Sequence, residues 1–403
     1  MTRELWEALH GDEVDEPELT TLVSHFFAGG RMEPGADNVE LTKEQGSGGE
    51  PALILHFHDG VLTDISAGPA LTADDVAELC GRIEQSALAS DELQVGRKIF
   101  FTMPEATGWW RYKDVFQLQP APPEAPRPGM VMAAHPLVVE LAYPKSDDYL
   151  VRIVRERFRS WELGLLLNLM LYGDVQAPGD RHPHHWVLDD EGEHLPKYLN
   201  EGYWFPGFEA IAAEFSPTDA VSPMDEIDDP VYYGRIGISV DQRLDVPKSL
   251  TELLDRYFSL PSPERMSVLR AAYWLRHARD VWDLSHTAYY LAVINAVEVM
   301  LPDPSGERCP TCGLIRGKGP TVLFEEFLDS HAPRTEETEP SRKELYRARS
   351  KMSHGRVLLR SDVPRAWGVL EPAEWEERDR SLAARNLAKT AILNWLRGSG
   401  TGG

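Results

Sequence analysis

The stretch "LYRARSKMSHGR" (Leu345–Arg356) gathers cations in a chain whose formal charge is −24. From Ser341 to Arg360 the basic residues are Arg342, Lys343, Arg347, Arg349, Lys351, Arg356 and Arg360, and the only acid is Glu344. "SRKE" at Ser341–Glu344 has the form of a capping box, in which hydroxyl and carboxylate each satisfy an orphan backbone N–H. A helix is therefore expected to open there. At about 100° per residue, Leu345, Ala348 and Met352 make an apolar stripe, and Arg349 falls on its edge rather than among the solvated residues. A guanidinium in that place is costly unless it is paired or faces a polar cleft. Gly355 suits the helix end, which puts His354 in the last turn, where free carbonyls favour imidazolium. Two readings stay open on the residues alone. Arg349 could pair with Glu298 and fix helix register while His354 caps the end, or the two could line a working cleft.

Around this tract the chain reads as helix after helix from about Pro247. "SLTE" (Ser249–Glu252) is a further capping box. "SPERMSVLRAAYWLRHARDVW" starts with Ser262 as N-cap and Pro263 at the first helical position. "LSHTAYYLAVINAVEVML" (Leu284–Leu301) is apolar nearly all round and is expected to be the most buried helix. "PTVLFEEFLDSH" is short and amphipathic, and "PAEWEERDRSLAARNLAKTAILNWLRG" closes the region. Residues 245–403 are expected to form an all-α bundle.

Residues 1–244 read as a mixed α/β module, so the fold class expected is a multidomain α+β chain. "ALILHFHDGVLTDI" (Ala52–Ile65) predicts strand, Asp-Gly turn, strand. "TADDVAELCGRIEQSAL" predicts a helix capped by Thr72, with Val76, Leu79, Ile83 and Leu88 at helical spacing. "RKIFFTM" and "VMAAHPLVVELAYP" predict extended structure. Between them, the proline-dense Leu118–Met130 predicts a loop or a joint near residues 118–130. "DYLVRIVRERFRSWELGLLLNLMLYG" predicts one long helix ending near Gly173. "HWVLDD", "GYWFPG" and "VYYGRIGISV" (Val231–Val240) predict strands.

At 403 residues the chain has room for two or three domains. No apolar run approaches the ~20 residues that cross a bilayer, and the acidic N-terminus lacks the apolar centre of a signal peptide. With three cysteines, Cys80, Cys309 and Cys312, a disulfide framework is excluded and a cytoplasmic location expected. The net acidity excludes a protein that coats nucleic acid non-specifically, since that needs phosphate neutralisation along the surface. It leaves room for a local basic site.

Read together, "YYLAVINAVEVML", the loop with "CPTCG" and "LYRARSKMSHG" resemble the HEPN superfamily, specifically its Apea-like branch. The hallmark is Arg, four to six residues, then His, which Arg349 and His354 satisfy. The branch tract is matched in place by Leu345, Tyr346, Arg349, Ser350, Ser353, His354 and Gly355. The likeness covers roughly Pro247–Gly398. It implies a HEPN-type helical bundle and metal-independent cleavage of RNA, tRNA or mRNA, by a homodimer formed through that bundle. Arg349 and His354 would then be catalytic, and Glu298, Ser350, Lys351 and Arg356 supporting or substrate-binding. Products would carry 2′,3′-cyclic phosphate and 5′-hydroxyl ends. The branch further implies a toxin-like effector in anti-phage defence, acting by abortive infection, with the first 244 residues sensing a phage-derived trigger. The charge asymmetry suggests that the acidic half restrains activity by covering the basic tract. The alternative is a non-catalytic module of HEPN type that binds nucleotides or proteins and in which Arg349 is structural.

Catalysis of this kind needs no cofactor. Cys309-Pro-Thr-Cys312 supplies two of the four ligands of a structural zinc, with His331 or a second subunit as sources of the rest. "HFHDG" (His56–Gly60) and "RHPHHW" (Arg181–Trp186) are histidine-rich and admit a zinc-hydrolase reading, but exposed polar histidines explain them more simply. "GWWRY" (Gly108–Tyr112) could stack bases, although burial is the commoner fate of such rings. Cys80 belongs on an apolar helix face.

Overall fold

The computed structural model describes residues 2–27, 29–32, 37–43, 49–58, 61–88, 92–123, 125, 135–172, 175, 185–188, 194–197, 208–235, 242–302, 307–308, 315–316, 318–332, 334, 339, 342, 345, 352, 357–363 and 372–398. For 31–32, 185–188, 194–197, 307–308, 315–316 and 372–373 the description is of backbone only.

The chain opens with helices α1 (Thr2–Ala8) and α2 (Glu16–Phe26), followed by strands β1 (Gly29–Met32), β2 (Asn38–Thr42), β3 (Pro51–His58) and β4 (Val61–Ala67). These pair antiparallel in the order β1-β2-β3-β4. The expected hairpin is present, with His56 opposite Asp64 and a register shift between His56 and Phe57. Alternation divides the sheet into two faces. Leu53, Leu55, Leu62 and Ile65 are buried against Leu9, just past α1, and against Leu19, Leu22, Leu79 and Ile83 of the helices, while Ile54 and His56 are only half-buried. Helix α3 (Ala73–Ser86) starts as the sequence predicts: Asp75 N donates to Thr72 Oγ1 and Thr72 N to Asp75 Oδ2. Cys80 packs beside this core and its thiol donates to Ala8 O.

A second antiparallel sheet has the order β11-β5-β8-β7-β6. It comprises β5 (Leu93–Thr102), β6 (Trp110–Tyr112), β7 (Phe116–Pro120), β8 (His135–Pro144) and β11 (Ile211–Ala212); β9 (His185–Leu188) and β10 (His194–Lys197) form a separate ribbon. Pro120 ends β7, so the proline-dense region begins inside the sheet. Both faces of β8 are covered, which accounts for the unbroken burial of Pro136–Tyr143, apolar at every position but Glu140. On one face Phe100, Phe116, Leu118, Leu137, Val139 and Leu141 join the main core. On the other, Ile99, Phe101 and Val138 pack with Ala125 and Phe208.

That second face also holds Glu140, fully buried. Its carboxylate accepts from Arg97 Nε (2.7 Å), Gln117 Nε2 (3.0 Å), Ser216 N (2.8 Å) and Ser216 Oγ (2.5 Å). A buried carboxylate is tolerable only when its lone pairs are satisfied in this way. The segment 208–227 therefore lies over the sheet as a strap. Gly108 lets it pass, since a Cβ there would stand 2.7 Å from Met224 N.

Helix α4 (Tyr149–Met170) joins the two cores. Asp148 caps it by accepting from Leu150 N and Val151 N, and Arg82 Nη2 of α3 donates to the same carboxylate at 3.0 Å. Val151 belongs to the N-terminal core, whereas Leu163, Leu166, Leu167 and Met170 belong to the main one. That main core continues into α6 (Leu250–Ser259), α7 (Ser262–Asp280), α8 (His286–Glu298), α9 (Pro320–His331) and α10 (Pro372–Gly398). The chain is thus α+β, with sheets in its N-terminal part and helices in its C-terminal part, and one apolar core runs across residue 244.

Three local expectations are corrected. Val231–Tyr233, expected as strand, belongs to a short helix, α5 (Asp229–Tyr233), with Asp228 at the cap position and Pro230 in its first turn. Residues 236–240 of that stretch and all of "GYWFPG" lie outside the described residues. Ser249 makes no capping bond at α6. Its N–H donates to Asp229 Oδ1 and its hydroxyl accepts from Arg397 Nη2, so tertiary contacts have taken over the groups a local cap would use. Ser262 is already helical, with Pro261 at the cap position. Strands β12 (Glu226–Ile227) and β13 (Val246–Pro247) pair in parallel beside α6. Among the described residues no helix is long and apolar enough to cross a membrane.

Candidate functional site

The tract 341–360 is held from both sides by described residues. Arg342 is helical and only 8% exposed. Its Nη1 donates to Asp329 Oδ1 (2.9 Å), and its Nη2 donates to Leu328 O (3.0 Å) and Ala332 O. Carbonyls at a helix C-terminus run short of backbone donors; Leu328 O also accepts from Ala332 N, and Arg342 of the basic run serves this helix end instead of solvent. Leu345 and Met352 are helical and buried in the main core. Both are thus buried, as the stripe reading expects of them.

Downstream, Leu359 N donates to Thr287 Oγ1 at 2.9 Å. Asp362 then accepts from Ser285 Oγ (2.8 Å), His286 N (2.7 Å) and Thr287 N (2.8 Å). Ser285 itself caps α8 by accepting from Ala288 N. Burial of Asp362 works against its charge, but the hydrogen bonds from Thr287, Ser285 and His286 outweigh it and hold the carboxyl below its ordinary range. The start of α8 and the end of the basic tract are thereby locked together.

Glu298 occupies the last turn of α8 and is half-buried beside the buried Val297 and Met300. Arg349, Ser350, Lys351, His354 and Arg356 lie outside the described residues, as do Ser341, Glu344 and Ala348 of the helix reading. The bundle interior nearby is rich in cations. Burial, followed by the neighbouring Arg385, pushes Arg279 of α7 down to about 10. Lys389 Nζ of α10 donates to Leu171 O at the end of α4 (2.7 Å), and burial pushes its amine well below the usual lysine range.

Cys309 and Cys312 also lie outside the described residues. The short strands β14 (Glu307–Arg308) and β15 (Ile315–Arg316) on either side of them pair antiparallel. His331 packs against the Phe327 ring at 4.9 Å, and burial lowers the pKa of its imidazole. Among the described residues no group of three or more His, Cys, Asp or Glu could hold a metal ion.

The histidines near the first hairpin do something else. His56 Nδ1 lies 2.8 Å from Asn38 Oδ1, and its Nε2 lies 2.6 Å from Ser66 Oγ. Sequence reasoning singled out His56 and His58 but neither Ser66 nor Asn38. Plain counting of pairs in the hairpin would set His56 opposite Thr63 and Ser66 on the other face; the register shift between His56 and Phe57, which pairs His56 with Asp64, is what brings Ser66 to the diagonal position. His182 and His184 lie outside the described residues, and for His185 only the backbone is described. In "GWWRY", Trp110 and Tyr112 are buried, stacked at 6.5 Å, and belong to the main core. No protein-family profile, curated protein or solved structure matches the chain.

Proposed function

We propose that the chain is a metal-independent endoribonuclease of HEPN type, in which Arg349 and His354 act on a phosphodiester and a homodimer brings two such pairs to one groove. The observation that carries this reading is the seating of Leu345 and Met352 in the helical core, with Arg342 and Leu359–Asp362 pinned on either side. A frame of that kind suits side chains that must be presented at a fixed place. Cleavage by the 2′-hydroxyl needs a base for its proton and an acid for the leaving 5′-oxygen, and two histidines supply both. Arginine offers a planar cation for charge gathering on the phosphorane oxygens. Lys351 and Arg356 would bind flanking phosphates, with Ser350 and Glu298 in support, and Cys309 and Cys312 would hold a structural zinc. The biological setting that fits is a toxin-like effector in anti-phage defence, cytoplasmic, with the N-terminal part answering to a phage-derived trigger.

The test is incubation of the full chain with total RNA in EDTA. Cleavage that persists under chelation, leaves 2′,3′-cyclic phosphate ends and disappears in Arg349→Ala and His354→Ala supports the proposal. Arg342 favours a second reading, because that member of the same basic run is structural. If Arg349 is structural too, the bundle is a binding module. Arg349→Ala would then unfold the protein, and His354→Ala would be silent.

A further inference from the structure

Ser66, His56 and Asn38 stand on the adjacent strands β4, β3 and β2, on the face of the first sheet opposite its helices. Asn38 is exposed, and His56 and Ser66 are half-buried, so the group is both ordered by the sheet and open to a small molecule. An amide oxygen can only accept a hydrogen bond. Nδ1 of His56 therefore carries the ring proton and donates to Asn38 Oδ1 (2.8 Å), which leaves Nε2 to accept from the Ser66 hydroxyl (2.6 Å). A hydroxyl on one ring nitrogen and an orienting acceptor on the other is the relation of nucleophile, base and positioning group in acyl transfer.

We propose that Ser66 is the nucleophile of a second site, with His56 as its general base and Asn38 as the residue that positions the ring, and that the site takes small activated carboxylic esters. Ser66 Oγ attacks the ester carbonyl as its proton passes to His56 Nε2. The Oγ–C bond forms, the bond from carbon to the leaving oxygen breaks, and the imidazolium returns the proton to that alkoxide. Water, deprotonated by the same nitrogen, then releases the carboxylic acid and restores Ser66. A donor for the oxyanion lies one residue on. Strand β4 is the last of its sheet, and Gly68 N donates inward to Ala52 O. By the alternation of an antiparallel ladder, the N–H of the exposed Ala67 then points to the open edge. This site stands apart from the helical tract, and its existence does not depend on the ribonuclease reading.

Treating the full chain with an alkyl fluorophosphonate and mapping the adduct by peptide mass spectrometry tests it. Fluoride leaves as the Oγ–P bond forms, so the label reports the nucleophile without turnover. Expected are a label on the peptide containing Ser66 in the wild-type protein, none on that peptide in Ser66→Ala, and labelling slowed by about 10²–10⁴-fold in His56→Gln. Asn38→Ala should slow labelling less, and p-nitrophenyl acetate hydrolysis should fall in the same order. An unlabelled Ser66 in wild-type protein, under conditions that label a control serine hydrolase, overturns the proposal, and so does equal labelling of wild type and His56→Gln. The mapping on wild type needs no variant to fold.

Discussion

The Arg155 guanidinium of α4 and the Glu18 carboxylate of α2 meet as a bidentate pair, Nε to Oε1 and Nη2 to Oε2, both at 2.8 Å. Their side chains are 7% and 6% exposed. The remaining N–H groups of Arg155 donate to Pro144 O, Lys145 O and Ala87 O, so the cation is satisfied on every side. It ties the N-terminal sheet and helices to the helix that continues into the main core.

Arg155→Ala should cost about 3–5 kcal/mol, because it strands a buried carboxylate. Burial already raises the Glu18 pKa, against the pull of Arg155. Folded Glu18 thus binds its proton more tightly than the unfolded chain does. The stability tied to that proton is present below the unfolded value and is lost as pH rises through the folded one. Removing Arg155 takes away the opposing pull, so the deficit of Arg155→Ala should shrink as the solution is acidified. Urea titrations of both proteins at neutral and acid pH read this directly.

Glu140 holds the strap 208–227 through Ser216. Glu140→Ala removes the acceptor for Arg97, Gln117 and Ser216 at once, and charged hydrogen bonds contribute about 1.5–3 kcal/mol each. Amide exchange should rise first at Ala210–Ser216, ahead of the helices, and Glu140→Gln should lie between wild type and the alanine variant.

Asp362 gives a pH signature of opposite sign. Its folded carboxyl is held low by donors from the start of α8, so its contribution is present above the unfolded value near 3.9 and is lost as pH falls through the folded one. Asp362→Ala should cost about 0.5–2 kcal/mol at neutral pH as a lost helix cap and should flatten this part of the acid limb of the stability curve. Under the ribonuclease reading it should also slow RNA cleavage, since the end of the basic tract would lose its tie to α8.

The shared core predicts the outcome of dissection. Leu163, Leu166, Leu167 and Met170 pack in one cluster with Leu269, Val293 and Ile392. A fragment of residues 245–403 should be molten or aggregated, without near-ultraviolet circular dichroism, rather than an unleashed enzyme. Restraint by the acidic half is therefore better tested by adding a trigger to the intact chain than by cutting the chain.

What was legible in the sequence was local. The Asp-Gly hairpin, the Thr72 cap, the long run of α4 and the all-round apolar α8 each announce themselves within a few turns of chain. Val231–Tyr233 misled because β-branched and aromatic residues favour strands, whereas Asp228 and Pro230 start a helix. Ser249 misled because Asp229 and Arg397, remote in sequence, claim the groups its capping box would use. Glu18 with Arg155, and Glu140 with Arg97 and Ser216, were invisible because no short-range pattern links partners so far apart. At the tract itself, the stripe through Leu345 and Met352 was legible and Arg342's structural role was not, since charge alone reads as a solvated face.

The central claim is that His354 transfers a proton in metal-free RNA cleavage. Its most direct test is the rate at which wild-type and His354→Ala proteins cut one defined RNA in EDTA, with thermal unfolding followed in parallel. The account predicts a loss of about 10²–10⁴-fold at unchanged Tm. Equal rates in the two proteins, or a wild-type activity that vanishes on chelation, would contradict it.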